Sequence, residues 1–435
     1  MFRFDAAFRA ELRENWPILL IAFVCFLFGF AAPAYALPFI FPEAIKEFGW
    51  NREEVTLLAS SKYAVGAIAA IIVGRLVDWT GAWLSLIVTV SMGGLALISF
   101  LWIDDLTHYY LSGVLLGFAS GGTMVALKVL ISRSFHASQG TAMGMALLGT
   151  VVGSIILPFI VTATISAFGW RMGIAAVSGG IWVVALPMLL YGFFSQKMAF
   201  GRRITPEARA AAKRSGDNLP FIKIISEPRF WLIGIAVFLV GGVDMAFTQH
   251  QVLIYNDFGM APEWVAVAVS ALGVVGIATR LIVGNVLDRS SNKGLAACWV
   301  LLSISVLLAF GLASPLILMA FIVTRALGHS AVMLDTGVMT KHVYGPSQLG
   351  TMLGMYTAMV STGFAIGPWL MGRLYDMSGN YGAAFILFAI LPLIASALIW
   401  RVRPVFWENM KLANQAEKKK ELIPLSATTM PHRGS

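Results

Sequence analysis

Eight ionisable side chains stand inside long apolar stretches of this sequence: Lys62, Lys128, Asp244, His250, Arg280, Arg325, His329 and Asp335. A charge at membrane depth costs about 2.5–3.5 kcal/mol even on the lenient insertion scale, so each asks for a partner or a task. Four fixed cations (Lys62, Lys128, Arg280, Arg325) face two carboxylates, Asp244 and Asp335. Buried charge is tolerated only when paired, so the two excess positive charges call for an anion from outside the chain. A transported carboxylate supplies one.

Arg280 lies in "ALGVVGIATRLIVGNVLDRS", residues 271–290. Its planar guanidinium matches a carboxylate through two parallel hydrogen bonds, which makes it the candidate substrate anchor. A structural pair with Asp244 or Asp335, or snorkelling to the cytoplasmic face, are the alternatives. Lys62, beside Tyr63, and Lys128 are candidate second anion contacts, each with a snorkelling or structural lysine as the plainer reading. Tyr35 and Tyr356 can donate hydroxyls to a substrate or simply pack. His250, in "FTQHQV", is either a substrate-site group or a satisfied hydrogen-bonder. Arg325, in "TRALGH", reads as a structural charge paired with Asp244. Proton movement needs a titratable group, for which Asp244, Asp335 and His250 are the candidates.

What must position these residues is a set of membrane helices. The chain has 435 residues, 58% hydrophobic and 12% charged, with mean hydropathy +0.80. A soluble domain carries about 25% charged residues. Twelve stretches reach the roughly 20 residues that a helix needs to cross a bilayer. They run about 16–41, 54–76, 83–103, 108–132, 140–167, 171–194, 229–255, 262–286, 295–313, 315–341, 348–374 and 381–401. "APAYA" (32–36) resembles a signal-peptidase site, but the apolar run before it is too long for an ordinary signal.

The net charge of +9 could suggest nucleic acid, but its placement is a topology signal. Arg3, Arg9 and Arg13 precede span one, a basic stretch with Arg202, Arg203 and Arg214 joins spans six and seven, and Lys418–Lys420 lie in the tail. The connections at 104–107, 256–261, 314 and 377–380 carry no lysine or arginine. Both termini are therefore expected in the cytoplasm of a multi-pass cell-membrane protein. No nucleic-acid partner is implied.

The sequence also repeats itself at a shift of 210. Gly49 pairs with Gly259, Gly74 with Gly284, Asp78 with Asp288, Gly144 with Gly354 and Pro158 with Pro368. Two parallel six-helix halves follow: a bundle over 1–194, a cytoplasmic linker over 195–228 with a short helix from Thr205-Pro206-Glu207, a second bundle over 229–403, and a tail over 404–435. The repeat partner of Arg280 is Ala70, so the scaffold itself does not require a cation there.

"GRLVDWTGA" (74–82) and "GNVLDRSSNKG" (284–294) resemble the loop signature of the major facilitator transporters. Gly74 and Gly284 allow close helix approach, and Asp78 and Asp288 can sit on a neighbouring helix N-terminus. The resemblance implies that these loops latch the cytoplasmic side shut. Trp79 and Ala82 stand where basic residues are usual, which weakens the first latch. "RSFHASQGTAMGMALLGTVVG" (133–153) and "IGPWLMGRLYDMSGNYGAAF" (366–385) are similar to the monocarboxylate-transporter (oxalate/formate antiporter-like) branch, as is an arginine in helix eight with a histidine upstream in helix seven. The acid expected one turn before that arginine is Gly276 here, which leaves the proton route open.

The expected architecture is thus an all-α membrane protein with twelve transmembrane helices in two parallel six-helix repeats. The expected function is secondary active transport of a small organic monocarboxylate, with a proton, by alternating access. A drug or organic-solute antiporter and a non-transporting membrane sensor are the alternatives. Neither a cofactor nor a metal is expected: Cys25 and Cys298 lie in apolar segments, and no Walker loop or nucleophile–base set stands out. The partners expected are the acid, protons and the bilayer, with the chain a monomer.

Overall fold

The computed structural model describes residues 6–135, 139–195, 226–344 and 349–409. Among these residues every regular element is helical. Ten stretches are long and apolar enough to cross a membrane, and one of them, Pro262–Gly311, is 50 residues long, enough for two crossings. Leu349–Ser378 adds a further 30-residue helix, giving the twelve passes. The linker helix at Thr205 and the tail after residue 409 lie outside the described residues.

Local chemistry sets several boundaries. Span two, Arg52–Thr80, starts at a capping box in which Asn51 Oδ1 accepts from Glu54 N at 2.8 Å and Glu54 Oε2 accepts from Asn51 N at 2.9 Å. Span four, Leu106–Ser134, starts under Asp105, whose carboxylate accepts from His108 N at 2.7 Å. The repeat also shows in the backbone. Gly49 and Gly259 end their segments at φ 72° and 73°, and Gly169 and Gly379 turn at 79° and 71°. All four adopt the left-handed region that favours glycine, at positions 210 residues apart.

Two expectations change. Span one is not a single helix: it widens into a π-helical turn over Phe26–Ala31, continues helical over Ala32–Tyr35 and tightens to a 3₁₀ turn over Leu37–Phe39. Pro33 and Pro38 lack the N–H that a regular ladder needs. Spans eight and nine are joined by a kink rather than by a longer loop: the helical stretch Pro262–Leu308 is two helices that meet at Ser291, where φ is 47° and ψ −123°.

The two halves meet differently at the two ends of the bundle. At the end carrying Gly49, called here the Gly49 face, span eleven packs on span two. Asp376 accepts from the backbone N–H groups of Arg52 and Glu53 at 3.1 and 2.7 Å, capping span two from the other half. Arg52 pairs with Asp257 at 2.5 Å and lies 3.7 Å over the Tyr375 ring. Trp369 Nε1 and Arg373 Nη1 donate to Glu53 at 2.8 and 3.1 Å. Spans five and eight close beside them, with Ser270 Oγ donating to Ile155 O at 2.8 Å. At the opposite end, the Gly81 face, the halves part. The space a Cβ would take at Gly74, Gly144, Gly284 and Gly354 is empty to 4 Å.

That emptiness corrects the expected role of two loop glycines. No neighbouring helix lies within 4 Å of the space a Cβ would take at Gly74 or Gly284, so neither makes a close helix approach in this structure. Among the described residues Asp288 caps no helix: it is exposed near His342, and its backbone carbonyl, not its carboxylate, accepts from Trp407 Nε1 at 3.1 Å. Asp78 is half-buried, with Arg133 as a charged neighbour.

Candidate functional site

Two cavities bring the candidate residues together. The first has a volume of about 20 Å³, space for one water molecule. Tyr35, Ser154, Thr248, Gln251, Arg280, Arg325 and His329 line it, from spans one, five, seven, eight and ten. The second, about 600 Å³, lies between spans one, two, four and eleven. Lys62, Tyr63, Lys128 and Phe364 are among its walls.

Charge pairing separates the two arginines of the first cavity. Arg325 is 2% exposed and Asp244 fully buried. The Arg325 guanidinium pairs with the Asp244 carboxylate, and its Nη2 also donates to Asp244 O at 2.7 Å and to Thr248 Oγ1 at 3.1 Å. His329 Nδ1 stands 2.9 Å from Asp244 Oδ2. The carboxylate is thus engaged from two positions of one helix, a full turn apart, and forms no ion pair with Arg280.

Arg280 is in the opposite situation. Its Nε is buried and has no hydrogen-bond partner among the described residues. No carboxylate among those residues forms an ion pair with it. The helix around it is held by Thr279, whose hydroxyl lies 2.9 Å from Ser330 Oγ and 3.2 Å from Ala326 O on span ten. Arg280 therefore lines this cavity from a helix tied to span ten, and its Nε is unspent among the described residues.

The remaining candidates divide. Tyr35 joins the Arg280 cavity. Lys62 and Lys128 share the larger one. His250 does not reach either. Its Nε2 lies 2.9 Å from Pro368 O, which can only accept, so Nε2 carries the proton and Nδ1 accepts from Tyr381 OH at 2.8 Å. The ring ties span seven to the closed Gly49 face. Tyr356 is fully buried, stacked on Phe230 at 5.4 Å with its hydroxyl 3.1 Å from that of Tyr344, and also lines neither cavity. Asp335 is fully buried; one oxygen accepts from Thr336 N and the other has no partner.

Sequence reasoning passed over Thr248 and Gln251, which line the Arg280 cavity. The signal was present in "FTQHQV", a polar run in mid-helix. Residues 248 and 251 share one helix face by their i, i+3 spacing, and His250 points elsewhere. Gln249 takes yet another direction, donating toward Ala34 O at 3.5 Å while its Oε1 stays buried and unpartnered. The histidine, the candidate from that run, lies on a different face, bonded to Tyr381 and Pro368.

The chain matches the family model of the Major Facilitator Superfamily over residues 19–296 and 251–429. It is 25% identical over 331 residues to monocarboxylate transporter 12 of Mus musculus, covering 69% of this chain and 67% of that protein. It is 22% identical over 444 residues to monocarboxylate transporter 1 of Rattus norvegicus, covering 93% and 88%. The hexuronate transporter of Bacillus subtilis (strain 168) is 24% identical over 425 residues, covering 90% and 96%. Among solved structures, an inward-facing, unoccupied bacterial homolog of the human lysosomal transporter Spinster aligns with a TM-score of 0.66 at 15% identity, covering 96% and 99%. With its twelve passes, repeated halves and family match, the chain is a membrane transporter that belongs to the major facilitator superfamily and resembles its monocarboxylate-transporter branch.

Proposed function

We propose that the chain carries a small organic monocarboxylate, together with a proton, across the cell membrane by alternating access, and that Arg280 is the anchor. The observation that carries this reading is the buried Arg280 Nε without a partner, in a cavity between the two halves. Its neighbour Arg325 has its own carboxylate, so the missing anion belongs to Arg280. The bundle over 1–194 and the bundle over 229–403 rock about this site, as monomers in the bilayer, with the linker over 195–228 and the tail over 404–435 in the cytoplasm. With that orientation the Gly49 face is external and the conformation inward-facing. The 20 Å³ cavity is too small for a carboxylic acid, so a substrate enters only as the helices around Arg280 shift.

Asp335 is the favoured proton carrier of the two carboxylates. Asp244 is held by Arg325 and His329, whereas one Asp335 oxygen is buried without a donor, the arrangement of a carboxyl that is stable when protonated. The test is uptake of radiolabelled lactate, pyruvate and aromatic acids into proteoliposomes, with and without an inward proton gradient. Uptake accelerated by the gradient, and loss of that acceleration in Asp335→Asn, is expected. Uptake indifferent to the gradient removes the symport reading. Cysteines placed at Asp105 and Asn380 should react with impermeant reagents on intact cells, and cysteines at Gly216 and Gln415 should not.

A further inference from the structure

Among the described residues, the walls of the larger cavity include two lysines and no acid. Spans two and four cross with backbone on backbone: Gly66 and Gly121 touch, and a Cβ on Gly66 would lie 3.3 Å from Gly117 O. This contact sets Lys62 and Lys128, from adjacent helices, on one cavity wall. Lys62 is 3% exposed; its Nζ donates to Pro33 O at 3.0 Å and lies 4.5 Å from the Tyr63 ring centre. Pro33 O is available because span one breaks after Tyr35, leaving the last carbonyls of that turn without helical donors. An ammonium has three donors, and only one of those of Lys62 is used within the chain. Lys128 has no hydrogen bond or ion pair among the described residues.

The rest of the wall is apolar and aromatic. Phe30, Ile71, Met124, Leu353 and Phe364 contribute to it, with Tyr63 meeting Phe364 edge-on at 5.6 Å. No acidic side chain lines the cavity among the described residues. Its volume of about 600 Å³ lies within the roughly 300–1,000 Å³ of sites that bury a drug-sized molecule. The Arg280 cavity, at about 20 Å³, has no such room.

We propose that Lys62 and Lys128 form a second anion site, which takes an organic carboxylate with an aromatic-sized apolar body. The carboxylate supplies the counter-charge the lysines lack, and the body covers the apolar wall. This deepens the reading of the chain as a carboxylate transporter, and rests on it for the sign of the ligand. It places the charged end of the site on spans two and four, with span eleven completing the apolar wall, and leaves Arg280 as a separate anchor.

The experiment is equilibrium binding to the full-length protein in detergent micelles, by calorimetry, with 3-phenylpropanoate, acetate and the uncharged 3-phenylpropanol as probes. Phenylpropanoate should bind at least about tenfold more tightly than either of the others, since each probe lacks one of the two interactions. Lys62→Gln and Lys128→Gln should each weaken phenylpropanoate by about tenfold or more, the loss expected for one charge-assisted contact. Arg280→Lys should leave this binding within about threefold of wild type while uptake falls. Lys62 is buried and its variant can lose stability, so Lys128→Gln, at the accessible end of the cavity, stands as the independent arm. Wild-type affinity in Lys128→Gln, or acetate binding as tightly as phenylpropanoate, overturns the second site. Loss of binding in Arg280→Lys alone overturns it too, and leaves the carboxylate-transport reading standing.

Discussion

Arg325 on span ten and Asp244 on span seven are each other's counter-ion, and their pairing is what leaves Arg280 alone. Both groups are nearly removed from solvent, so the pair links two helices of one half beside the Arg280 cavity. The cavity thus contains one arginine that is paired and one with no ion-pair partner among the described residues.

Breaking that pair should cost stability before it affects specificity. Asp244→Asn and Arg325→Leu each leave a buried polar or charged group uncompensated, a loss of about 3–5 kcal/mol. Thermal unfolding of the detergent-purified variants should show a large drop in midpoint, and the double variant should recover part of it. A single variant as stable as wild type shows that the pair does not hold the helices.

The seal at the Gly49 face should be separable from the site. Asp376 caps span two only while the halves are closed there. A cap of this kind is worth about 0.5–2 kcal/mol, so Asp376→Ala should raise the population open at that face roughly 2- to 30-fold. The measurement is the rate at which an impermeant maleimide labels Ser154→Cys from outside in right-side-out vesicles. Faster labelling in the Asp376→Ala background is expected, and an unchanged rate denies Asp376 its role in the seal.

The same face carries an acid-sensitive clasp outside the membrane spans. Burial raises the Glu47 carboxyl, but hydrogen bonds from Arg171 and Trp170 outweigh it and hold the group below its ordinary value. Arg171 Nη1 and Trp170 Nε1 both donate to it at 2.6 Å. With the folded value depressed, its contribution is complete above the unfolded carboxyl value of about 4.3 and disappears as pH falls through the folded one. Thermal midpoints followed from about pH 6 to about pH 3 should fall more steeply for wild type than for Glu47→Gln. Parallel curves contradict the clasp.

The helices and the repeat were legible because both depend on local composition. Runs of about 20 apolar residues announce a crossing, and a fixed 210-residue offset announces two halves whose turn glycines then adopt matching backbone angles. The pairing of Arg325 with Asp244 was readable as charge accounting. Which way a mid-helix side chain points was not readable. His250 and Gln251 are neighbours in sequence, yet one closes the Gly49 face and the other lines the Arg280 cavity. Nor was the open space beside loop glycines 74 and 284 readable, because a sequence does not state which helices lie against each other in one conformation.

Uptake by Arg280→Lys, compared with its abundance in the membrane, tests the central claim most directly. Lysine keeps the charge but cannot reproduce the two-pronged hydrogen bonding of the guanidinium. The account predicts a variant that inserts and unfolds like wild type and loses most transport of a labelled monocarboxylate, by roughly 10- to 100-fold for the lost charge-assisted contact. Arg280→Ala should abolish uptake, and the methyl ester of a good substrate should compete poorly with it. Wild-type uptake by Arg280→Lys and Arg280→Ala would contradict the anchor.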